Sequence, residues 1–191
     1  FVLAYERIKS KEGNMTRGVN GETLDGISPV WIENIILELR SRKFKFSPGR
    51  IVKIPKKNGK MRTLNIAPPR EKIVQEAIRL ILDAIYDTPG GIIFQDCSHG
   101  FRENRSCHTA LKDIKNVWNG TKWFIEGDIS NFFDEIDHLV LIGQLRKKIK
   151  DEKFIQLMWK YLRAGYNEGN NVHTVANLSG TPQGGILSPL L

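Results

Sequence analysis

Two β-prone runs, residues 50–55 and 60–66, flank Lys56-Lys57-Asn58-Gly59, and no other feature restricts the fold so strongly. An Asn-Gly pair favours the positive-φ tight turn that folds a strand back on itself, so the two runs form an antiparallel hairpin. Pro68-Pro69 follows at once. Proline cannot donate to a ladder, but its fixed φ suits a first helical turn. Ile73, Val74, Ala77, Ile78, Ile81, Leu82 and Ile85 then recur at helical spacing and predict an amphipathic helix over 71–86. Hairpin and helix alternate without a βαβ rhythm, which predicts an α+β fold.

The other segments fit the same class. Ser28 is placed to cap a helix starting at Pro29, with Trp31, Ile32, Ile35, Ile36 and Leu39 on its inner face. Further helices are expected over 106–118, 139–149 and 151–166, the last capped by Asp151, with a strand over 172–178. A turn is expected at Pro89-Gly90-Gly91. The apolar run Trp123-Phe124-Ile125 reads as a strand that ends near Asp128. Trp31, Trp118, Trp123 and Trp159 are expected in the core, as are the thiols of Cys97 and Cys107.

Charge narrows the partners. The 191 residues carry a formal net charge of +8, and residues 40–70 hold eleven Lys or Arg with no Asp or Glu. Such a block favours polyanions. Two cysteines make no disulfide framework, which points to an intracellular, reducing setting, bacterial cytoplasm or organelle matrix. No apolar run approaches the roughly 20 residues of a membrane span, so no membrane partner is expected. Cys97, His99, Cys107 and His108 match no common structural zinc spacing.

Two constellations can support chemistry. Arg50, Lys56 and Arg62 lie on two strands and a turn, where they can converge on a triphosphate; a solvated hairpin that discourages edge aggregation is the plainer reading. Lys53, Lys57 and Lys60 are either solubilising charge or template contacts. Asp128, at the end of a hydrophobic run, is either a turn residue or a hard-oxygen metal ligand, with the Ile129 backbone carbonyl as a further donor.

Longer phrases decide between these readings. Asp128-Ile129-Ser130-Asn131-Phe132-Phe133-Asp134-Glu135-Ile136-Asp137-His138 resembles the Asp-Ile-x-x-Phe-Phe-Asp-x-Ile-Asp-His motif of reverse transcriptases, particularly those encoded within group II introns. Gly180-Thr181-Pro182-Gln183-Gly184-Gly185-Ile186-Leu187-Ser188-Pro189-Leu190-Leu191 is similar to a second motif of that family. Ile54-Pro55-Lys56-Lys57-Asn58-Gly59-Lys60-Met61-Arg62-Thr63-Leu64 resembles its fingers hairpin, with Thr63 where the family has Pro. Gly18-Val19-Asn20-Gly21, Glu71-Lys72-Ile73-Val74-Gln75 and His99-Gly100-Phe101-Arg102 extend the likeness, with Asn20 replacing Asp and His99 replacing an aromatic.

The resemblance implies a right-hand polymerase. Residues 1–85 would be amino-terminal extension and fingers, 86–134 the first part of the palm, 135–179 fingers helices and connection, and 180–191 the start of the second palm part. The palm would be an antiparallel sheet backed by helices. It implies RNA-directed DNA synthesis with two Mg²⁺ ions and dNTP substrates, on an RNA template with a DNA or RNA primer, alongside binding of group II intron RNA. Asp128 and the Ile129 carbonyl would hold metal; Arg50, Lys56, Arg62, Phe133 and Gln183 would contact the nucleotide. Phe133 would exclude a ribose 2′-OH, and Lys53, Lys57, Lys60, Arg102 and Arg105 would reach RNA. A salt-bridge role for Arg102 and Arg105 is an equal expectation, and Asp134, Asp137 and His138 are expected in caps and local hydrogen bonds.

The family's second acidic motif is not among these residues, so the chain reads as an inactive fragment, whose exposed apolar ends would favour a homodimer. Two other functions fit the same phrases: a splicing chaperone (maturase) without synthesis, and a retron, diversity-generating or CRISPR-associated reverse transcriptase.

Overall fold

A computed structural model of the chain describes residues 1–13, 15–56, 59–87, 93–168, 171–173, 179–181 and 184–191. Two helices, α1 (Val2–Lys9) and α2 (Pro29–Arg40), precede the hairpin β1 (Gly49–Pro55) and β2 (Met61–Ile66). Then come α3 (Pro69–Tyr86), α4 (Cys107–Val117), α5 (Phe132–Glu135), α6 (His138–Lys148) and α7 (Glu152–Leu162). The short strands β3 (Tyr166–Glu168) and β4 (Asn171–His173) and a 3₁₀ turn (Ser188–Leu190) follow.

The hairpin pairs from Arg50↔Ile66 to Pro55↔Met61. Its turn closes through the Lys56 N–H to the Lys60 carbonyl at 2.7 Å and the Gly59 N–H to the Lys56 carbonyl at 3.0 Å. Gly59 has φ +78°, the left-handed region for which glycine is suited. β3 adds to β1 in parallel and β4 to β3 antiparallel, giving the order β2-β1-β3-β4. The expected strand over 172–178 thus begins one residue earlier, at Asn171; 174–178 and the Pro89-Gly90-Gly91 turn lie outside the described residues.

Helix ends follow the local chemistry. The Ser28 hydroxyl accepts the Trp31 N–H, and Asp137 and Asp151 each accept two N–H groups at the starts of α6 and α7. Ser106 and Thr109 exchange hydrogen bonds in a capping box at α4. α3 sits between two cores. Val74, Ile78 and Leu82 join Phe44, Leu145, Ile155, Met158 and Leu187, whereas Ile73 joins Ala4, Ile8 and Leu24. Ile81, expected inside, is largely exposed, because α3 is covered on two sides and not all round. No helix among the described residues is long and apolar enough to cross a membrane.

The segment before Asp128 departs from expectation. Residues 121–129 form no strand among the described residues, and Trp123, Phe124 and Ile125 are 88, 76 and 100 % exposed. A hydrophobic run becomes a strand only when another backbone satisfies its N–H and C=O groups. The sheet observed is instead the mixed one built on the hairpin. Trp118 is likewise exposed rather than core, while Trp31 and Trp159 pack against the main cluster. Cys97 and Cys107 are exposed free thiols, not core residues; Cys107 opens α4, which buries none of its side chains.

Candidate nucleotide site

The hairpin register sorts its basic residues by face. Alternation places Arg50, Val52 and Ile54 with Arg62, Leu64 and Ile66 on one face, and Lys53 with Thr63 on the other. Arg50 and Arg62 therefore share a face, separated by four ladder positions, roughly 13 Å. Lys56 extends the ladder by one pairing with Lys60 and is exposed. Lys57 lies outside the described residues.

Arg50 is not a free cation on a strand. Its Nε and Nη2 donate to the Arg17 carbonyl at 3.3 and 3.0 Å. That carbonyl is held by the Gly18-Val19-Asn20-Gly21 loop, which closes through the Gly18 N–H to the Glu22 carbonyl at 3.0 Å. The loop sits so close to the hairpin's exit that a Cβ on Gly18 would stand 2.9 Å from the Pro68 Cα. Asn20 donates its amide to the Glu22 carboxylate at 2.6 Å. An Asp there would face that carboxylate with like charge, so the Asn is matched to its neighbour. Lys72, on the first turns of α3, has its pKa lowered by burial and then by the charge of Arg50. It adds a cation that sequence reading passed over, although Lys72 stands within the Glu71–Gln75 motif.

The two long motifs meet through backbone. Asn131 adopts φ +51° and starts α5, which carries Phe132 and Phe133. The Thr181 N–H donates to the Phe133 carbonyl at 2.6 Å, and the Gly180 N–H to the Ile136 carbonyl at 2.8 Å. Asp137 and Ser179 form an antiparallel bridge beside them. Gly180 has φ +89°, and a Cβ there would stand 3.1 Å from the Asp134 carbonyl oxygen. His138, fully buried, reaches the Gly180 carbonyl through Nε2 at 2.6 Å. Phe133 is half-buried and meets the more exposed Phe132 edge-on at 5.5 Å.

Beyond the turn, Gly184 rests on the hairpin. A Cβ there would meet the Leu64 Cδ2 at 3.4 Å and the Asn65 carbonyl oxygen at 3.5 Å. Leu64 belongs to the face that carries Arg50 and Arg62. The Ile186 N–H then donates to the buried Gln75 Oε1 at 3.0 Å. Pro182 and Gln183 lie outside the described residues; Thr181 before them is tied to α5, Gly184 after them rests on the hairpin, and Ile186 is tied to α3.

Asp128 and Ile129 are exposed, and no described side chain hydrogen-bonds to the Asp128 carboxylate. An accessible carboxylate beside a backbone carbonyl suits one edge of a Mg²⁺ shell, which prefers hard oxygen and keeps several waters. Among the described residues no group of three or more His, Cys, Asp or Glu is placed to hold a metal ion.

Arg102 stands apart from this region in its bonding. Its Nε and Nη2 grip the Asp87 carboxylate at 2.7–3.1 Å, and Nη1 donates to the Gln95 and Ser98 carbonyls at 2.9 and 3.0 Å. The guanidinium is engaged within the chain, as the salt-bridge expectation had it. Arg105 donates to the Asp96 carbonyl at 2.5 Å and lies 3.6 Å from its carboxylate.

Residues 54–191 match the family model described as reverse transcriptase (RNA-dependent DNA polymerase). The chain is 48 % identical over 192 residues to the group II intron-encoded protein LtrA of Lactococcus lactis subsp. cremoris, covering 100 % of this chain and 31 % of that protein. It is 47 % identical over 191 residues to the putative COX1/OXI3 intron 1 protein of Saccharomyces cerevisiae, covering 100 % and 22 %. Nuclear intron maturase 1, mitochondrial, of Arabidopsis thaliana is 32 % identical over 94 residues, 49 % of this chain and 13 % of that protein. A chain of a Cas6-RT-Cas1–Cas2 complex superposes with TM-score 0.60 at 23 % identity, over 99 % of this chain and 19 % of that one, which shows the fold. The chain thus spans about a third or less of the length of these relatives. It belongs to the reverse transcriptase (RNA-dependent DNA polymerase) family and is similar over its whole length to group II intron-encoded proteins.

Proposed function

We propose that this chain forms the nucleotide-binding side of an RNA-directed DNA polymerase of the group II intron type, with 1–85 and 135–179 as fingers and 86–134 and 180–191 as palm. One observation carries the reading: the Thr181 N–H is bonded to the Phe133 carbonyl of α5, and Gly184 rests on Leu64, on the hairpin face of Arg50 and Arg62. The helix that carries Phe133 and the strands that carry Arg50 and Arg62 are thereby linked through the backbone on either side of the Gly-Thr-Pro-Gln-Gly-Gly phrase. Arg50, Arg62 and Lys56 would neutralise the triphosphate, and forked guanidinium donors suit its oxygens. Phe133 would lie under the sugar and Gln183 beside it, leaving no volume for a 2′-OH.

Asp128 and the Ile129 carbonyl would hold Mg²⁺. Such ions supply activation of the primer 3′-hydroxyl and stabilisation of the leaving oxygen. One carboxylate does not build a two-metal site, so the 191 residues alone are expected to be inactive and the activity belongs to the longer protein. Lys53, Lys57, Lys60 and Arg105 would contact RNA phosphates and 2′-OH groups, with intron RNA as the partner its relatives' names suggest.

The test is primer extension on an RNA template by the full-length protein, with Mg²⁺ and dNTPs, as wild type and as Asp128→Ala. Synthesis that disappears in a folded, RNA-binding variant supports the reading. No synthesis by either, together with salt-sensitive binding of intron RNA, overturns it in favour of a splicing chaperone.

A further inference from the structure

The junction between α5–α6 and the Gly180 loop contains a buried histidine that the nucleotide contacts do not use. His138 is the first residue of α6 and fully buried. Asp137 caps the helix by accepting the Leu139 and Val140 N–H groups at 2.7 and 3.0 Å, and this fixes the backbone that carries the ring. The Trp159 ring of α7 stands edge-on to the imidazole, with centroids 6.2 Å apart. A carbonyl oxygen only accepts, so the 2.6 Å contact to Gly180 requires a proton on Nε2. Nδ1 then carries the lone pair, buried and without a hydrogen-bond partner among the described residues. The neighbouring Thr181 Oγ1 is orphaned in the same way.

Orphaned buried polar atoms cost stability. A leucine of similar volume would avoid the Nδ1 cost. What the imidazole provides instead is a donor aimed from a rigid helix start at the loop backbone. The bond lands on Gly180, between Ser179, which bridges to Asp137, and Thr181, which donates to Phe133.

We infer that His138 is a positioning residue of the nucleotide pocket, whose Nε2–H fixes the Gly180–Thr181 backbone against α5 and so holds Phe133 in place. This rests on the proposed role of Phe133. Sugar selection depends on that placement, because a ring that excludes one oxygen atom works only if the backbone carrying it does not yield. A displacement on the order of 1 Å of such a ring can cost up to about a hundredfold in rate.

The experiment compares His138→Gln and His138→Asn in the full-length protein, by single-nucleotide incorporation opposite one RNA template base with dNTP or the matching rNTP. Both side chains are polar and uncharged, but only the Gln amide nitrogen reaches the Nε2 position. His138→Asn is expected to raise KM for the dNTP about tenfold with a smaller effect on kcat, and to reduce dNTP-over-rNTP discrimination about tenfold. His138→Gln should recover most of both losses, and primer–template affinity should stay at the wild-type value in each. Equal behaviour of the two variants, or wild-type KM and discrimination in a folded His138→Asn, overturns the inference. Phe133→Ala tests the underlying reading separately: if it leaves discrimination intact, the sugar role of Phe133 fails, while the KM comparison at His138 still decides the positioning role.

Discussion

The Glu71 carboxylate accepts the Ser47 backbone N–H at 2.5 Å from a position 2 % exposed, tying the start of α3 to the segment that enters the hairpin. Burial raises the Glu71 pKa to about 7, against the smaller opposing effects of the Ser47 hydrogen bond and the Arg70 charge. The folded state therefore binds this proton more tightly than the unfolded chain. Its contribution is fully present below the unfolded value of 4.5 and is lost as pH rises through about 7. The shift corresponds to about 3 kcal/mol at most. Glu71→Gln keeps an acceptor for Ser47 and removes the titration. Urea denaturation between pH 5 and 8 should show the variant gaining stability relative to wild type as pH rises; a constant difference would refute the assignment.

Gly49 is fixed by crowding. A Cβ there would stand 1.7 Å from the Asn65 Oδ1 and 3.1 Å from the Ile66 carbonyl oxygen. Gly49→Ala should destabilise the protein by about 1–3 kcal/mol. Asn65→Ala in the same chain removes the nearer obstacle and should recover part of that loss, read as a non-additive term in a double-mutant cycle of chemical denaturation.

Arg50 and Arg62 share a face but not a setting. Arg62 is exposed, whereas Arg50 donates twice to the Arg17 carbonyl. On the proposed nucleotide role, Arg62→Ala should raise the dNTP KM of the full-length protein about tenfold with unchanged stability. Arg50→Lys keeps the charge but loses the forked contact, and Gly18→Ala displaces the loop that presents Arg17. Both should raise the same KM by a similar factor. Steady-state kinetics at fixed primer–template would refute the shared role if only the charge-removing change had an effect.

The Arg102–Asp87 pair is structural in its bonding, with side chains 12 and 13 % exposed. Arg102→Ala leaves the Asp87 carboxylate and two carbonyls without their donor, and should lower the urea midpoint of unfolding. RNA binding by the folded variant should keep the wild-type dependence on salt. A salt slope reduced by about one would instead show that Arg102 contacts a phosphate.

Local signals in the chain were sufficient for much of this architecture. Asn58-Gly59 and the alternating runs beside it predicted the hairpin, and its register puts Arg50 and Arg62 on one face. Ser28, Asp137 and Asp151 acted as caps because a cap needs only its own helix's N–H groups. The family motifs offered Asp128, Phe133 and Gln183 as candidates from residue order alone, and their roles remain proposals.

Tertiary structure decided whatever needed a partner distant in sequence. Trp123-Phe124-Ile125 has the composition of a strand, yet composition cannot supply the second backbone that makes one, and the run stays exposed. Arg102 found Asp87 and Arg50 found the Arg17 carbonyl through loops whose closure no spacing rule encodes. The contact of His138 with Gly180 spans 42 residues and has no periodic signature. Hydrogen-bond donors and turn residues are written in the chain one by one, but which of them meet is set by the packing of the helices and loops that carry them.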